Sequence, residues 1–353
     1  MKLSLINITI IIIKKGSTMF KKLMLSTLLL AGSLFANSEV NVYSHRHYDT
    51  DKELFKMFED KTGIKVNVVK ADASALIKRI QSEGQNSPAD VLITVDAGGL
   101  FQAKNQGLLQ SIKSEYLQAN IPEKLRDKNN QWFALTKRAR VVLHTLDSTV
   151  PNELKTYEDL ADPKFKGKIM VRSSNNIYNQ SLLAAVIAHH GEEYALQWAK
   201  GVVANMAKEP KGNDRYQVTA IANGIGEIAI ANTYYVGQMV DNKDVAQAEA
   251  VKKVKILFPK FEKGGTHINV SGAGVAKYSP NKDNAIKFIE FLASPDAQKL
   301  FAQANFEYPV LQNIEASDVV KSWGTFEDDT ISMNVLGENN KLAVKIFDQA
   351  NWK

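Results

Sequence analysis

In Pro88-Ala89-Asp90-Val91-Leu92-Ile93-Thr94-Val95 a turn signal opens into an unbroken apolar, β-branched run, the composition of a strand buried on both faces within a parallel sheet. Its neighbours support that reading. Upstream, Glu39 to Tyr43 reads as a short strand, and Ile64 to Val69 alternates apolar and polar as a second one. Between them Thr50-Asp51-Lys52-Glu53 has the pattern of a capping box ahead of Leu54, Phe55 and Phe58, with Gly63 as the stop. Ala73 to Ser82 places Leu76, Ile77 and Ile80 on one helical face. Strands alternating with helices at this spacing predict an α/β unit with a largely parallel sheet.

A second α/β unit follows. Lys168 to Arg172 and Glu227 to Ala231 read as strands, and Asn179 to His189 and Glu192 to Ala204 as helices parted by Gly191. Thr136 to Thr145 and Lys255 to Val275 are extended in character and far apart in sequence, as expected of two crossover strands by which the chain leaves one lobe and returns. Ser294-Pro295 marks a helix start. The expected architecture is α/β, two-lobed, with a central cleft: residues 37–139 and 257–315 form the first lobe, and 140–256 and 316–353 the second. Open α/β sheets bind ligands beyond the carboxyl ends of their strands, at such a cleft.

Composition narrows what the cleft can hold. Residues 1–36 carry Lys2, Lys14, Lys15, Lys21 and Lys22 and no acid, and Met19-Phe20-Lys21-Lys22 followed by Leu23 to Phe35 and Ala36 reads as a signal peptide. Met19 is the expected start of translation, with a longer leader or a membrane anchor beginning at Met1 as the rival; cleavage falls near Ala36, and the protein is expected in the periplasm. Without those five lysines, 44 Lys+Arg become 39 against 38 Asp+Glu, so charge gives no argument for nucleic acid. The chain has no cysteine, which excludes disulfides, thiolate ligands and iron–sulfur clusters.

Several oxygen and nitrogen donors fall where strands end. His47-Tyr48 follows the first strand; alone, the pair reads as a turn histidine beside a half-buried tyrosine. His45 adds a His-x-His spacing that would suit zinc. Tyr178 lies between Asn175-Asn176 and an apolar helix, and alone reads as a tyrosine packed on a first turn. Tyr234-Tyr235 follows Ile228-Ala229-Ile230-Ala231 through Asn232-Thr233, and both rings can reach one ligand only if the backbone turns there, as at a helix start.

Four strings along the chain carry a family resemblance: Val42-Tyr43-Ser44-His45-Arg46-His47-Tyr48, Ala89 to Gly98, Thr136-Lys137-Arg138-Ala139-Arg140-Val141-Val142, and Ala231-Asn232-Thr233-Tyr234-Tyr235. In these the sequence resembles the periplasmic ferric iron-binding proteins of bacterial ABC importers, in the branch that holds iron with one histidine and several tyrosines. Gly99 departs from the pattern, since relatives often carry a longer side chain there. The resemblance implies iron ligands at His47, Tyr48, Tyr178, Tyr234 and Tyr235, delivery to an inner-membrane ABC permease, and a monomer.

The chemistry agrees with that implication. Ferric iron is a hard cation that selects anionic oxygen, and each phenol must surrender its proton to bind. Four tyrosinates against Fe(III) leave a site charge of about −1, so no synergistic anion is expected. Arg138 or Arg140 would offset the residue; each reads equally as an ordinary hinge arginine. Reduction to Fe(II) takes the charge to about −2 and favours release, which makes Fe(III) the expected cargo over Fe(II). Two rivals remain open: the same fold binding thiamine or a polyamine through its aromatic rings, and a secreted enzyme using Asp90 and Asp96. No nucleophile elbow, Walker loop or zinc-binding helix supports an enzyme, and His189-His190 lacks the required glutamate.

Overall fold

The computed structural model describes residues 38–46, 48–240 and 242–353. The chain divides into two units, Met1–Glu39 and Val40–Lys353. The expected leader lies outside the described residues, and so does His47. Among the described residues no helix is long and apolar enough to cross a membrane.

Among the described residues nine strands form one sheet: β1 (Glu39–Ser44), β2 (Lys65–Lys70), β3 (Val91–Thr94), β4 (Phe133–Thr145), β5 (Ile169–Met170), β6 (Ile228–Asn232), β7 (Val254–Leu257), β8 (Ile268–Val275) and β9 (Tyr308–Pro309). The order is β2-β1-β3-β8-β4-β6-β5, with β7 and β9 also on β4. The Val91 run is β3, buried throughout and parallel to β1. β5 and β6 are parallel as well. The expectation of a largely parallel sheet is corrected, however, because every described pairing of β4 and β8 is antiparallel. A crossing strand that returns to its first half without a crossover helix runs against the strand it joins.

β4 is the crossing strand expected at Thr136 to Thr145, three residues longer. Its first half, through Ala139, pairs with β8, and from Arg140 onward it pairs with β6. The second crossing is not one strand: β7 and β8 are separated by the loop 258–267. Tyr157 ties the two crossings together at the switch point. Its hydroxyl donates to the carbonyl of Arg140 at 2.6 Å and accepts from the backbone N–H of His267 at 3.0 Å.

The helices follow their apolar spacing. Thr50–Thr62 buries Leu54, Phe55 and Phe58 and ends on Gly63 at φ 70°, a left-handed cap that glycine adopts without strain. Phe58 meets Phe288 edge-on at 5.1 Å and Phe291 at 5.5 Å, aromatic contacts worth about 0.5–1.5 kcal/mol each beyond burial. The capping box does not form. Asp49 occupies the cap position without a side-chain bond to the helix end, its carboxylate accepting from Lys52 instead; the Thr50 hydroxyl donates to Asn305 Oδ1, Asp51 pairs with Arg46 and Glu53 is exposed. Tertiary partners have taken the polar side chains that a cap would use. The two helices expected around Gly191 run as one element, Ile177–Asn205, broken at that glycine by φ 83° and ψ 175°.

Among the described residues two large apolar clusters make up most of the core. The larger extends from Val40 and Leu54 to Trp198 and Trp352; the smaller gathers Ala139, Val141 and Leu143 of β4 with Val218, Ala229, Met239 and Val254. Ser294 and Pro295 open the helix Pro295–Ala304 as expected.

Candidate metal centre

Four tyrosines from three parts of the chain form their own buried cluster, Tyr48, Tyr178, Tyr234 and Tyr235, with Ile177 and Phe306 at its margin. Tyr48 stands between β1 and the Thr50–Thr62 helix. Tyr178 is the second residue of Ile177–Asn205, and its backbone N–H donates to the capping Asn176 side chain at 3.2 Å. Tyr234 and Tyr235 open the helix Thr233–Val240, which starts directly after β6. That strand-to-helix turn brings both rings to one side, with centroids 4.3 Å apart, whereas an uninterrupted strand would point them to opposite faces. Tyr48 meets Tyr234 edge-on at 6.1 Å, and the hydroxyls of Tyr178 and Tyr234 are 3.2 Å apart.

Arginines surround the cluster. The Arg46 guanidinium lies 4.6 Å from the Tyr48 ring centroid, Arg138 5.3 Å, Arg140 5.9 Å and Arg172 5.6 Å from that of Tyr178, and Arg215 5.2 Å from that of Tyr235. Carboxylates hold four of the five. Arg46 pairs with Asp51 at 3.0 Å and Glu307 at 3.1 Å, Arg138 with Asp96 at 3.4 Å, and Asp214 takes Arg140 at 2.9 Å and Arg172 at 3.4 Å. Asp96 also accepts from Asn269, Ser181 and the Gly98 backbone, which fixes it as cap and anchor.

Burial decides the protonation state of the phenols. It pushes Tyr48 and Tyr234 well above the ordinary phenol value and Tyr178 upward; neighbouring tyrosines add to this, with Glu307 also acting on Tyr48, and Arg138 opposes it at all three. Without a metal these three are therefore neutral near pH 7, and a cation must displace their protons. Among the described residues no group of three or more His, Cys, Asp or Glu side chains could hold a metal. The donors gathered in this cluster are phenol oxygens, the class a hard cation selects.

A cleft of about 1100 Å³ opens beside the cluster, lined by His45, Asp96, Arg172, Asn176 and Ile177 among others. Thus the structure unites Tyr48, Tyr178, Tyr234 and Tyr235 and sets Arg138 and Arg140 against Tyr178. His47, between the buried Arg46 and Tyr48, falls outside the described residues. Sequence reading missed Arg46, Arg172, Arg215 and Phe306. Only Arg46 had a signal, its place beside His47-Tyr48.

Residues 86–327 match the family model described as bacterial extracellular solute-binding protein. Over 315 residues the chain is 49% identical to iron uptake protein A1 of Synechocystis sp., covering 89% of this chain and 88% of that protein. A Trichodesmium protein (IdiA, FutA) solved in complex with iron and citrate superposes with a TM-score of 0.86 at 48% identity, over 89% of this chain and 100% of that one. The ferric binding protein of Campylobacter jejuni gives 0.85 at 46% identity, again over 89% and 100%. This α/β, two-lobed chain belongs to the bacterial extracellular solute-binding protein family, among its iron-uptake and ferric-binding members.

Proposed function

We propose that the protein captures iron, Fe(III) in preference to Fe(II), through His47, Tyr48, Tyr178, Tyr234 and Tyr235, and delivers it to an inner-membrane ABC permease. One observation carries the reading: four phenols, from three distant stretches of the chain, share a single buried cluster. The relatives named for iron uptake and ferric binding support it. On this reading the protein is a binding protein rather than an enzyme, exported to the periplasm by its leader and working as a monomer. Residues 37–139 with 257–315 form one lobe and 140–256 with 316–353 the other; the change of partner along β4 between Ala139 and Arg140 supports that division.

The bound ion needs no synergistic anion. Four phenolates over-neutralise Fe(III), and the surrounding guanidiniums answer the excess. Among the described residues five guanidiniums stack on the tyrosine rings, against the four carboxylates that pair with them, Asp51, Asp96, Asp214 and Glu307. Citrate accompanies iron in the Trichodesmium relative; in this chain a carboxylate would arrive as the donor of iron, through the adjoining cleft. Thiamine and polyamines are disfavoured, because neither coordinates the phenol oxygens and displaces their protons, so each would meet the ring of arginines with the tyrosines still neutral.

The test is a titration followed in the visible range. Ferric citrate should produce an orange-to-red phenolate charge-transfer band, with or without added bicarbonate or phosphate. Zinc, thiamine and spermidine should produce none. Tight thiamine or spermidine binding by calorimetry, with no ferric band, would overturn the reading.

A further inference from the structure

Phe306 is a bulky residue held at φ 56°, in the left-handed region where side chains other than glycine, asparagine and aspartate are rarely found. Such backbone persists only where its surroundings over-determine it. Here they do so from both sides. Asn305 Oδ1 accepts from the Thr50 hydroxyl, and the fully buried Glu307 accepts from Arg46 at 3.1 Å and from Thr136 at 2.8 Å. Thr50 and Arg46 bracket His47-Tyr48 in sequence. The segment Asn305-Phe306-Glu307 is thereby fastened to the stretch that carries the first two proposed ligands.

The ring between those anchors reaches the opposite group of ligands. It packs at the edge of the tyrosine cluster and lies against Gly237, which is buried on the Thr233–Val240 helix three positions after Tyr234, on the same helical face. The fit leaves no room for a side chain. A Cβ on Gly237 would stand 2.2 Å from Phe306 Cγ and 2.5 Å from Phe306 Cβ. Gly237 has an ordinary helical conformation, so glycine is required there by the ring and not by the backbone.

We propose that Phe306 is a positioning residue: seated in the notch at Gly237, it latches the Tyr234-Tyr235 helix onto the Tyr48 segment and sets how fast bound iron is released. The proposal rests on the iron-binding reading. The latch joins the two groups of ligands without supplying a donor atom, so it should act on the dissociation rate and leave the phenolate spectrum in place.

The test measures release of Fe(III) from the full-length protein to excess desferrioxamine, followed by loss of the visible band. Phe306→Ala, which removes the ring, should release iron about tenfold faster than the parent, and Gly237→Ala, which blocks the seat, should do at least the same. The double variant Gly237→Ala/Phe306→Ala relieves the clash and should match Phe306→Ala alone, not the product of the two single effects. Thermal unfolding of the apo proteins serves as the folding check. Alanine favours a helix over glycine, so Gly237→Ala should lose no stability on its own element, and Phe306→Leu is a second variant that keeps an apolar group. Release at the parental rate from both single variants would overturn the latch, as would single effects that simply multiply in the double variant. Absence of the ferric band from the parent would instead overturn the iron-binding reading itself.

Discussion

The hydroxyls of Tyr178 and Tyr234 stand 3.2 Å apart, although 56 positions separate the two residues and each belongs to the first turn of a different helix. Two buried phenols at this distance can share one proton or, once both are deprotonated, one cation. Two phenolates alone would repel each other in a medium of low polarity. The contact therefore describes a site waiting for positive charge, and the three arginines facing Tyr178 supply only part of it.

Arg138 should contribute directly to iron affinity. Its guanidinium faces Tyr178 at 5.3 Å and is anchored by Asp96. Arg138→Gln alone would leave a buried carboxylate unpaired, so the informative protein is Arg138→Gln/Asp96→Asn. A cation over a desolvated ring contributes about 1–2 kcal/mol, and ferric affinity should fall roughly 5- to 30-fold. Competition with citrate measures this directly. Unchanged affinity would mean that Arg138 only fills space.

His267 should make the apo protein acid-sensitive. Burial, then Arg140 and Arg138, push its imidazole down to about 3 from the ordinary 6.5. Between those values the unfolded chain binds a proton that the folded chain refuses, so stability falls as pH drops from about 6.5 towards 3 and is retained above that window. The loss between about pH 6.5 and 5 is of the order of 2 kcal/mol at 1.36 kcal/mol per unit. Urea unfolding of apo protein across that range should show the decline, and His267→Gln should flatten it. Equal slopes in the two proteins would contradict the assignment.

Thr50 tests the correction at the first helix. Its hydroxyl bonds to Asn305 and not to the helix end, while Glu53 is exposed. Thr50→Ala should therefore cost about 1 kcal/mol, Glu53→Ala almost nothing, and Asn305→Ala should remove most of the Thr50 effect in a double-mutant cycle. A capping box would instead make Glu53 and Thr50 interdependent.

The contrast between these cases shows how far the sequence could be read. β3 and the Ala73–Glu83 helix were legible because burial imprints a period on local sequence, and Tyr234-Tyr235 because a strand end and a helix start meet there. Thr50-Asp51-Lys52-Glu53 was misread because the residue types that cap helices also serve distant partners, here Asn305 and Arg46. The sheet is less parallel than its local sequence predicts, since strand direction depends on the return path of the chain through β8. Arg172, Arg215 and Phe306 carry no local mark at all; their roles arise from stacking against rings that other segments provide.

Closure should accompany binding. If Tyr48 and the group Tyr178, Tyr234 and Tyr235 belong to separate lobes, iron bridges them and favours the closed form. Solution scattering of apo and ferric-loaded protein should give a smaller radius of gyration with iron. Identical profiles would mean that the ligands already sit together before the metal arrives.

The central claim, that phenolates hold the iron, is tested most directly by the visible spectrum of single-oxygen variants under ferric citrate. Tyr234→Phe and Tyr235→Phe each delete one hydroxyl while keeping the ring, and each should weaken ferric binding and alter or abolish the band with little loss of fold. Tyr43→Phe is the control, because its hydroxyl donates to Glu83 at 2.9 Å and lies outside the cluster; its spectrum should match the parent. Acid should bleach the parent's colour as protons reclaim the phenolates. Parental ferric affinity and an unchanged band in both Tyr234→Phe and Tyr235→Phe would contradict the account.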